Sequence, residues 1–404
     1  MQEFVSSKRL YFSPMALLRK TLTPVVSVHN RVRLVHGGAE YFAELEALIQ
    51  GAARTLHLQT YIFAADKTGK AIAEAVKSAS LRGVDVYMMV DGYASRDLDE
   101  DFVRALLQAG IRFRFFEPVL ASNSFYFGRR LHHKVAVADA SVALVGGVNI
   151  SNRYNDLPGD PAWLDWAIRL EGEAANQLHR LCVELWVKFP PEIKRILLKD
   201  PPFVPERSWN CPVRIRQNDW VTRRNEITRS YLQLLSEADH EIIIMSSYFL
   251  PGRVFRRYMA RATRKGVRIR LILAGTSDVR IAKQAERYMY RWLFRKGIEI
   301  YEYPHNVLHG KIAVVDRKWM TGGSYNVNNI SAYASIELNV DVLEAGFAAE
   351  VHDALEAIIV HDSVRITEAE YETRFNAIER AVQYVSYETI RMIFFLFTFY
   401  FRQR

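Results

Sequence analysis

Short apolar runs alternate with amphipathic stretches through most of the chain, and the alternation occurs twice. Leu56-His-Leu-Gln-Thr-Tyr-Ile-Phe63, Arg82-Gly-Val-Asp-Val-Tyr-Met-Met-Val90 and Ala109-Gly-Ile-Arg-Phe113 read as buried strands. Each has a counterpart, in Ile242-Ile-Ile-Met-Ser-Ser-Tyr-Phe249, Lys265-Gly-Val-Arg-Ile-Arg-Leu-Ile-Leu273 and Lys296-Gly-Ile-Glu-Ile300. Helical spacing of apolar residues fills the gaps: Ala39 to Ala53, Gly69 to Arg82 and Asp99 to Ala109 in the first half, and Arg223 to Glu237, Val254 to Lys265 and Ile281 to Lys296 in the second. Each half then adds one more strand, Val135-Ala-Val-Ala138 or Ile312-Ala-Val-Val315. Strands alternating with helices predict an α/β fold of two similar lobes with mixed, largely parallel sheets.

A helix from Ala174 to Val187 and the proline-rich stretches Phe189-Pro-Pro191 and Asp200-Pro-Pro-Phe-Val-Pro205 place the joint near residue 205. The expected division is a basic amphipathic segment at 1–30, a first lobe at 31–205, a second at 206–365 and a helical, aromatic tail at 366–404. Glycine and serine are sparse at the joint, so the lobes are expected to be fixed relative to each other.

The chain has 404 residues, enough for two cores of ordinary size, and its 25% charged and 50% hydrophobic residues exclude a disordered chain. Its two cysteines, Cys182 and Cys211, form no metal or disulfide spacing, so a reducing compartment is the default. The net charge of +9 is uneven. Arg253, Arg256, Arg257, Arg261, Arg264, Lys265, Arg268 and Arg270 stand together with no acid between them, a pattern that suits a solvated face or a polyanion-binding one. Anionic lipid and nucleic acid both satisfy the second reading.

The ends favour lipid. Lys8, Arg9, Arg19, Lys20, Arg31 and Arg33 are interleaved with Phe4, Leu10, Tyr11, Phe12, Met15, Leu17 and Leu18, the composition of an interfacial segment, and no signal-peptide pattern accompanies them. Met392-Ile-Phe-Phe-Leu-Phe-Thr-Phe-Tyr-Phe401 is bounded by Arg391 and by Arg402-Gln-Arg404. As a helix those residues rise only about 15 Å, roughly half a hydrocarbon core, so the run is expected to lie in the membrane interface or to be buried against the domain.

The chemistry rests on a duplicated block. His132-x-Lys134-x4-Asp139 recurs as His309-x-Lys311-x4-Asp316, and Gly146-Gly-Val-Asn149 recurs as Gly323-Ser-Tyr-Asn326, every position shifted by 177 residues. One short motif is weak, but two copies in register are not. An imidazole can attack phosphorus and a second can protonate the departing alkoxide. The lysines set cations beside the phosphate oxygens, and the amides of Asn149 and Asn326 add donors. No metal or other cofactor is then required. Asp139 and Asp316, five residues beyond the lysines, suit structural support. His133, His305, His36, His57, His240, His352 and His361 fit no pattern and read as surface or core histidines.

At these residues the chain resembles the phospholipase D superfamily, whose signature is H-x-K-x4-D-x6-G-S-x-N written twice; Gly147 departs from it where serine is usual. The resemblance implies two lobes around one shared active site and a phosphohistidine intermediate, with His132 as nucleophile and His309 as general acid and then base, the reverse assignment remaining open. It also implies an acid after each Asn turn to orient a histidine: Glu337 in Ser335-Ile-Glu-Leu-Asn-Val-Asp341, and Asp165 in Trp163-Leu-Asp-Trp-Ala-Ile-Arg169, with Asp160 competing for the second place.

The whole pattern is most similar to bacterial cardiolipin synthases of the two-motif type. The residues carrying the closer match are Gly37-Gly38-Ala-Glu40-Tyr-Phe42, Tyr61-Ile-Phe63, Gly83-Val-Asp85-Val, Val145-Gly-Gly-Val-Asn149, Arg169-Leu-Glu-Gly172 and Ser247-Tyr-Phe-Leu-Pro251. No apolar run of 18 or more residues is present, so the chain resembles the short branch without N-terminal transmembrane helices. That resemblance implies transfer of a phosphatidyl group between anionic phospholipids, most simply two phosphatidylglycerols with release of glycerol. It also implies peripheral or monotopic attachment to the bacterial cytoplasmic membrane on its cytoplasmic face. Nucleic acid is not an expected partner, and oligomeric state is not legible. Phospholipase D hydrolysis and a metal-independent nuclease of the same superfamily are the alternatives.

Overall fold

The computed structural model describes residues 25–117, 129–187, 203–328 and 335–402. The basic N-terminal run and part of the proline-rich joint therefore lie outside the described residues, as do the aromatic side chains from Phe394 onward.

The first half contains β1 (Asn30–His36), α1 (Ala39–Gly51), β2 (Thr55–Thr60), α2 (Lys67–Leu81), β3 (Asp85–Asp91), α3 (Glu100–Gln108), β4 (Arg112–Phe116), β5 (Arg130–Leu131), β6 (Val135–Ala138), β7 (Val142–Gly146), β8 (Trp166–Gly172) and α4 (Glu173–Trp186). The second contains β9 (Val213–Asp219), β10 (Arg224–Asn225), α5 (Glu226–Glu237), β11 (Glu241–Ser246), α6 (Arg253–Arg264), β12 (Arg268–Ala274), α7 (Arg280–Phe294), β13 (Glu299–Tyr303), β14 (Ile312–Val315), β15 (Trp319–Gly323), β16 (Ser335–Val342), α8 (Ala345–His361) and β17 (Val364–Ile366). Two helices follow, α9 (Glu368–Arg374) and α10 (Ala377–Arg402). Side-chain caps fix several starts: Asp66 accepts from the Gly69 amide of α2, and Asp99 from the Phe102 amide of α3.

Among the described residues each half builds one sheet, in the order β1-β8-β7-β6-β2-β3-β4 and β10-β9-β16-β15-β14-β11-β12-β13-β17. The sheets are mixed, as expected, but they are not largely parallel. Parallel pairing within these orders is confined to β2-β3-β4 and β11-β12-β13, where helices make the crossovers. The remaining neighbours are antiparallel because each His-Lys strand turns back at once into a hairpin, β6 into β7 and β14 into β15. Those turns carry positive φ at Asp139 and Ala140 and at Asp316 and Arg317, the backbone that suits a tight hairpin.

The outer faces of the sheets bury separate cores under the flanking helices. The inner faces share one. Val135, Val145 and Ile168 of the first sheet join Met245, Ile312 and Leu338 of the second, together with Leu178 of α4 and Val351 of α8. Each such side chain contributes roughly 1.5–3 kcal/mol on burial, so these contacts alone fix the lobes against each other far more firmly than surface ion pairs would.

Candidate active site

The first-motif histidine stands where the two sheets meet. β5, two residues long, pairs in parallel with the start of β16, and the His132 amide donates to the Ile336 carbonyl at 3.0 Å. The same device recurs on the other side: Leu164 bridges Leu308, and the His309 amide donates to the Leu164 carbonyl at 2.7 Å. Each histidine is thus laced onto the residue just before the opposite lobe's acid. Consequently the acids pair crosswise, His132 Nδ1 lying 2.7 Å from Glu337 Oε2 and His309 Nδ1 2.6 Å from Asp165 Oδ2. With Nδ1 held by a carboxylate, each ring presents Nε2 for chemistry. Asp160 takes no part; it is exposed and closes a turn with Leu157 through backbone hydrogen bonds.

The lysines lie beneath the rings and are buried. Lys134 Nζ donates to the His132 carbonyl at 2.9 Å and sits 5.1 Å from the Tyr61 ring centre. Lys311 Nζ donates to Ser247 Oγ at 3.0 Å and to the His309 carbonyl. Burial drives both ammonium groups down, Lys134 to about 7 and Lys311 to about 8. Burial also depresses both imidazoles, and both lysines add repulsion; His309 falls further because at His132 the Glu337 carboxylate opposes the shift. A phosphodiester anion placed between them would reverse these shifts, which makes the cleft selective for negative charge.

The two acids are not equivalent. Burial would raise Glu337, but His132, Lys134 and the Ser324 hydroxyl together hold it below the ordinary carboxylate range. Burial wins at Asp165 and pushes it up to about 7, with Lys311 and the Trp166 amide opposing. The residue that precedes each Asn turn explains the difference. Gly147 and Ser324 occupy equivalent positions; Ser324 Oγ donates to Glu337, whereas a Cβ on Gly147 would lie 2.3 Å from Asp165 Oδ1. The shorter acid therefore goes with the missing side chain. Gly147→Ser is expected to displace Asp165 and lower turnover about 100-fold, and the double variant Gly147→Ser/Asp165→Glu to recover most of it, because it rebuilds the second lobe's pair. Steady-state rates of the two variants check this, and equal losses in both would refute the pairing.

The remaining motif residues divide by position. Asp139 caps the far end of β6, accepting from the amides of Ala53, Arg54 and Thr55 at 2.8 Å each, and Asp316 does the same for Asp239, His240 and Glu241 at 2.7–2.9 Å. Asn149 accepts from the Ile62 amide and donates at 2.9 Å to Tyr154 Oη, which lies 3.4 Å from His309 Nε2. Its amide therefore reaches the histidine through Tyr154. Asn326 is buried beside the second turn, and its Oδ1 has no hydrogen-bond partner among the described residues. His133 is buried with Nδ1 3.4 Å from Gln59 Oε1, and burial lowers it to about 4.

Several residues at the cleft lie outside the duplicated His-Lys block. Tyr154 and Trp163 flank the His309 ring at 5.1 and 6.1 Å between centroids, and Tyr248 donates to Asp278 at the rim. Tyr61 packs edge-on against His132 at 4.8 Å. Among the described residues no group of three or more His, Cys, Asp or Glu side chains is placed to hold a metal ion.

A family model described as "Cardiolipin synthase, PLD-like domain" matches residues 45–181 and 231–359. The cardiolipin synthases B of Shigella flexneri and of Escherichia coli strain K12 are each 33% identical over 357 residues, covering 84% of this chain and 83% of the relative. Cardiolipin synthase A of Pseudomonas aeruginosa strain LESB58 is 28% identical over 344 residues, covering 85% of this chain and 69% of the relative. Among solved structures, phosphatidylserine synthase of Haemophilus influenzae Rd KW20 matches with a TM-score of 0.69 at 15% identity, covering 89% of this chain and 93% of that one. Polyphosphate kinase of Porphyromonas gingivalis matches with a TM-score of 0.59 at 16% identity, over 90% of this chain and 53% of that one. These two likenesses establish the fold.

Proposed function

The chain belongs to the phospholipase D-like cardiolipin synthase family and is a phosphatidyltransferase, and from that premise we propose how its two lobes divide the reaction. His132 Nε2 attacks the phosphorus of phosphatidylglycerol and forms a P–N bond. The P–O bond to the headgroup glycerol breaks, and His309 Nε2 gives the alkoxide its proton, releasing glycerol. A hydroxyl of a second phosphatidylglycerol then attacks the same phosphorus, its proton passes to His309, and the P–N bond breaks to leave cardiolipin.

The observation that carries this reading is the crosswise pairing of two histidines, one from each lobe, with two buried carboxylates above two buried lysines. Glu337, held ionised, strengthens the ring it touches as a nucleophile, which favours His132 for the attack. Lys134 and Lys311 stabilise the charge on the non-bridging oxygens. Asn149 acts through Tyr154, while Asp139 and Asp316 support the hairpins from behind. The working units are the lobes at 31–205 and 206–365, with 1–30 and 366–404 as membrane-associating ends. We place the protein peripherally on the cytoplasmic face of the bacterial inner membrane, and among the described residues no helix is long and apolar enough to cross a membrane.

Mass spectrometry of the products formed from phosphatidylglycerol vesicles tests the assignment. Cardiolipin with one glycerol per turnover is the expected result. Phosphatidic acid as the main product would make the enzyme a hydrolase, and cleavage of single-stranded DNA in EDTA without lipid turnover would make it a nuclease.

A further inference from the structure

Helix α10 is built inside out. Gln383 and Ser386 are buried, whereas Ile378, Val382, Val385 and Met392 are 76, 49, 60 and 59% exposed. Their spacing of four, three and seven residues puts all four on one side of the helix, an exposed apolar stripe broken by Thr389. The buried side is tied to the second lobe: Tyr371 Oη donates to Gln383 Oε1 at 2.6 Å, and Tyr384 and Tyr387 flank the Tyr288 ring at 5.6 and 4.8 Å.

The register of these contacts gives the helix a direction. Arg380 and Arg291 share Glu372, Tyr387 meets Tyr288, and Ile390 packs into the cluster of Leu250, Ala285 and Met289. α10 therefore runs antiparallel to α7, toward the start of α7, where Asp278 and Tyr248 form the rim of the cleft. Beyond Ile390 it continues for twelve residues to Arg402, whereas α7 has five left between Ala285 and Arg280. At 1.5 Å per residue the helix overhangs its support by roughly 10 Å at the cleft end. The overhang is the segment whose sequence reads Phe-Phe-Leu-Phe-Thr-Phe-Tyr-Phe from Phe394 to Phe401.

Two further groups lie along α7, one toward each of its ends. Val279 and Ile281, at the cleft end of α7, are exposed. At the far end of α7 Arg256 stacks on Trp292, which sets α6 alongside, level with the Val382 part of the stripe, and Arg253, Arg257 and Arg261 of α6 are exposed with no carboxylate within ion-pair distance among the described residues. An apolar stripe alone would leave its occupant open, but an unneutralised cationic face beside it selects an anionic one.

We propose that the stripe of α10, Val279, Ile281 and the arginines of α6 form one docking surface for an anionic phospholipid bilayer, oriented so that the overhanging helix end enters the lipid beside the cleft. The surface thus delivers bilayer lipid to His132 and His309 without a diffusing carrier. This rests on the reading of the substrate as membrane phospholipid, and the test separates the two.

The test uses the full chain and the double variant Val382→Glu/Val385→Glu, whose sites are exposed and away from the cleft. Sedimentation with phosphatidylglycerol–phosphatidylcholine vesicles is expected to fall about tenfold or more in the variant, and wild-type binding to fall with added salt. Turnover of vesicle lipid should fall in parallel, while turnover of a short-chain phosphatidylglycerol below its micelle concentration stays at the wild-type rate. Vesicle binding unchanged in the variant would overturn the proposal. So would a variant that loses a dimer in analytical ultracentrifugation yet binds vesicles normally, since the stripe would then join two copies of the chain. If wild type binds vesicles through the stripe but turns over neither form of lipid, the docking surface stands and the substrate reading fails.

Discussion

His132→Ala is expected to lower phosphatidyl transfer by about 10⁴-fold or more and to leave no covalent phospho-enzyme. His309→Ala should lose a similar amount with natural phosphatidylglycerol but behave differently with an activated donor. A nitrophenyl ester leaves without a proton, so the first step no longer needs His309. The second step still needs a base, and the phosphohistidine accumulates. Phosphorus-labelled enzyme, quenched in denaturant at alkaline pH where the P–N bond survives and then mapped by peptide, reads the outcome directly: label on His132 in the His309→Ala variant, none in His132→Ala. The converse pattern would exchange the two roles. The expectation follows from the unequal acids, because the ionised Glu337 faces His132 while Asp165, pushed up to about 7, faces His309.

Glu337→Gln is expected to cost about 10³ to 10⁴ in kcat, the scale set by losing the carboxylate behind a catalytic histidine. Three donors converge on the native carboxylate: His132 Nδ1–H, the Ser324 hydroxyl, and the Ser335 hydroxyl at 2.7 Å. A glutamine offers them one oxygen and turns a donor toward the rest, in a place with no access to water. The mismatch is worth about 1–3 kcal/mol of stability, readable as a lower Tm. The pH profile should move too. Glu337 raises the proton affinity of His132 against the lowering effect of burial, so its removal lowers that affinity further. The acid limb of kcat/KM should therefore shift to lower pH. Glu337→Gln with an unchanged rate and profile would show that the pair does not orient the nucleophile.

Much of this site could be read from the chain because the duplication is long and its register constant. The positions of His132, Lys134, His309 and Lys311 at the heads of apolar runs marked the common face, and Glu337 stood at the start of its own strand. What stayed hidden was the exchange of acids between lobes. It depends on β5 pairing with β16 and on the Leu164–Leu308 bridge, and nothing local in either segment specifies its partner. Tyr154, Trp163 and Asp278 were hidden for another reason: they lie at non-repeating positions, so the register that exposed the motif passes over them.

The strand directions are not legible in the chain, and the reason is physical. A four-residue apolar run such as Val135–Ala138 is the same pattern in a parallel or an antiparallel sheet. The hairpins that decide the matter turn at Asp139-Ala140 and Asp316-Arg317, which lack the glycine that usually announces such a turn. At Asp139 and Asp316 the left-handed backbone is supported by the three amides each carboxylate collects from the neighbouring strand's entry. The motif aspartates thus hold the turn that brings the next strand back, even though they stand far from the phosphate.

The exchange of acids has one more consequence. His132 meets Glu337 while His309 meets Asp165, which is the reciprocity of an isologous interface, where residue i of one copy meets j of the other and j meets i. The protein is a two-fold dimer carried on one chain. A one-lobe form would hold its histidine without the carboxylate that orients it, and two such forms would become competent only by associating. In the fused chain a change at either acid is felt at the other half's histidine, so neither half can alter its acid without altering the chemistry of the other.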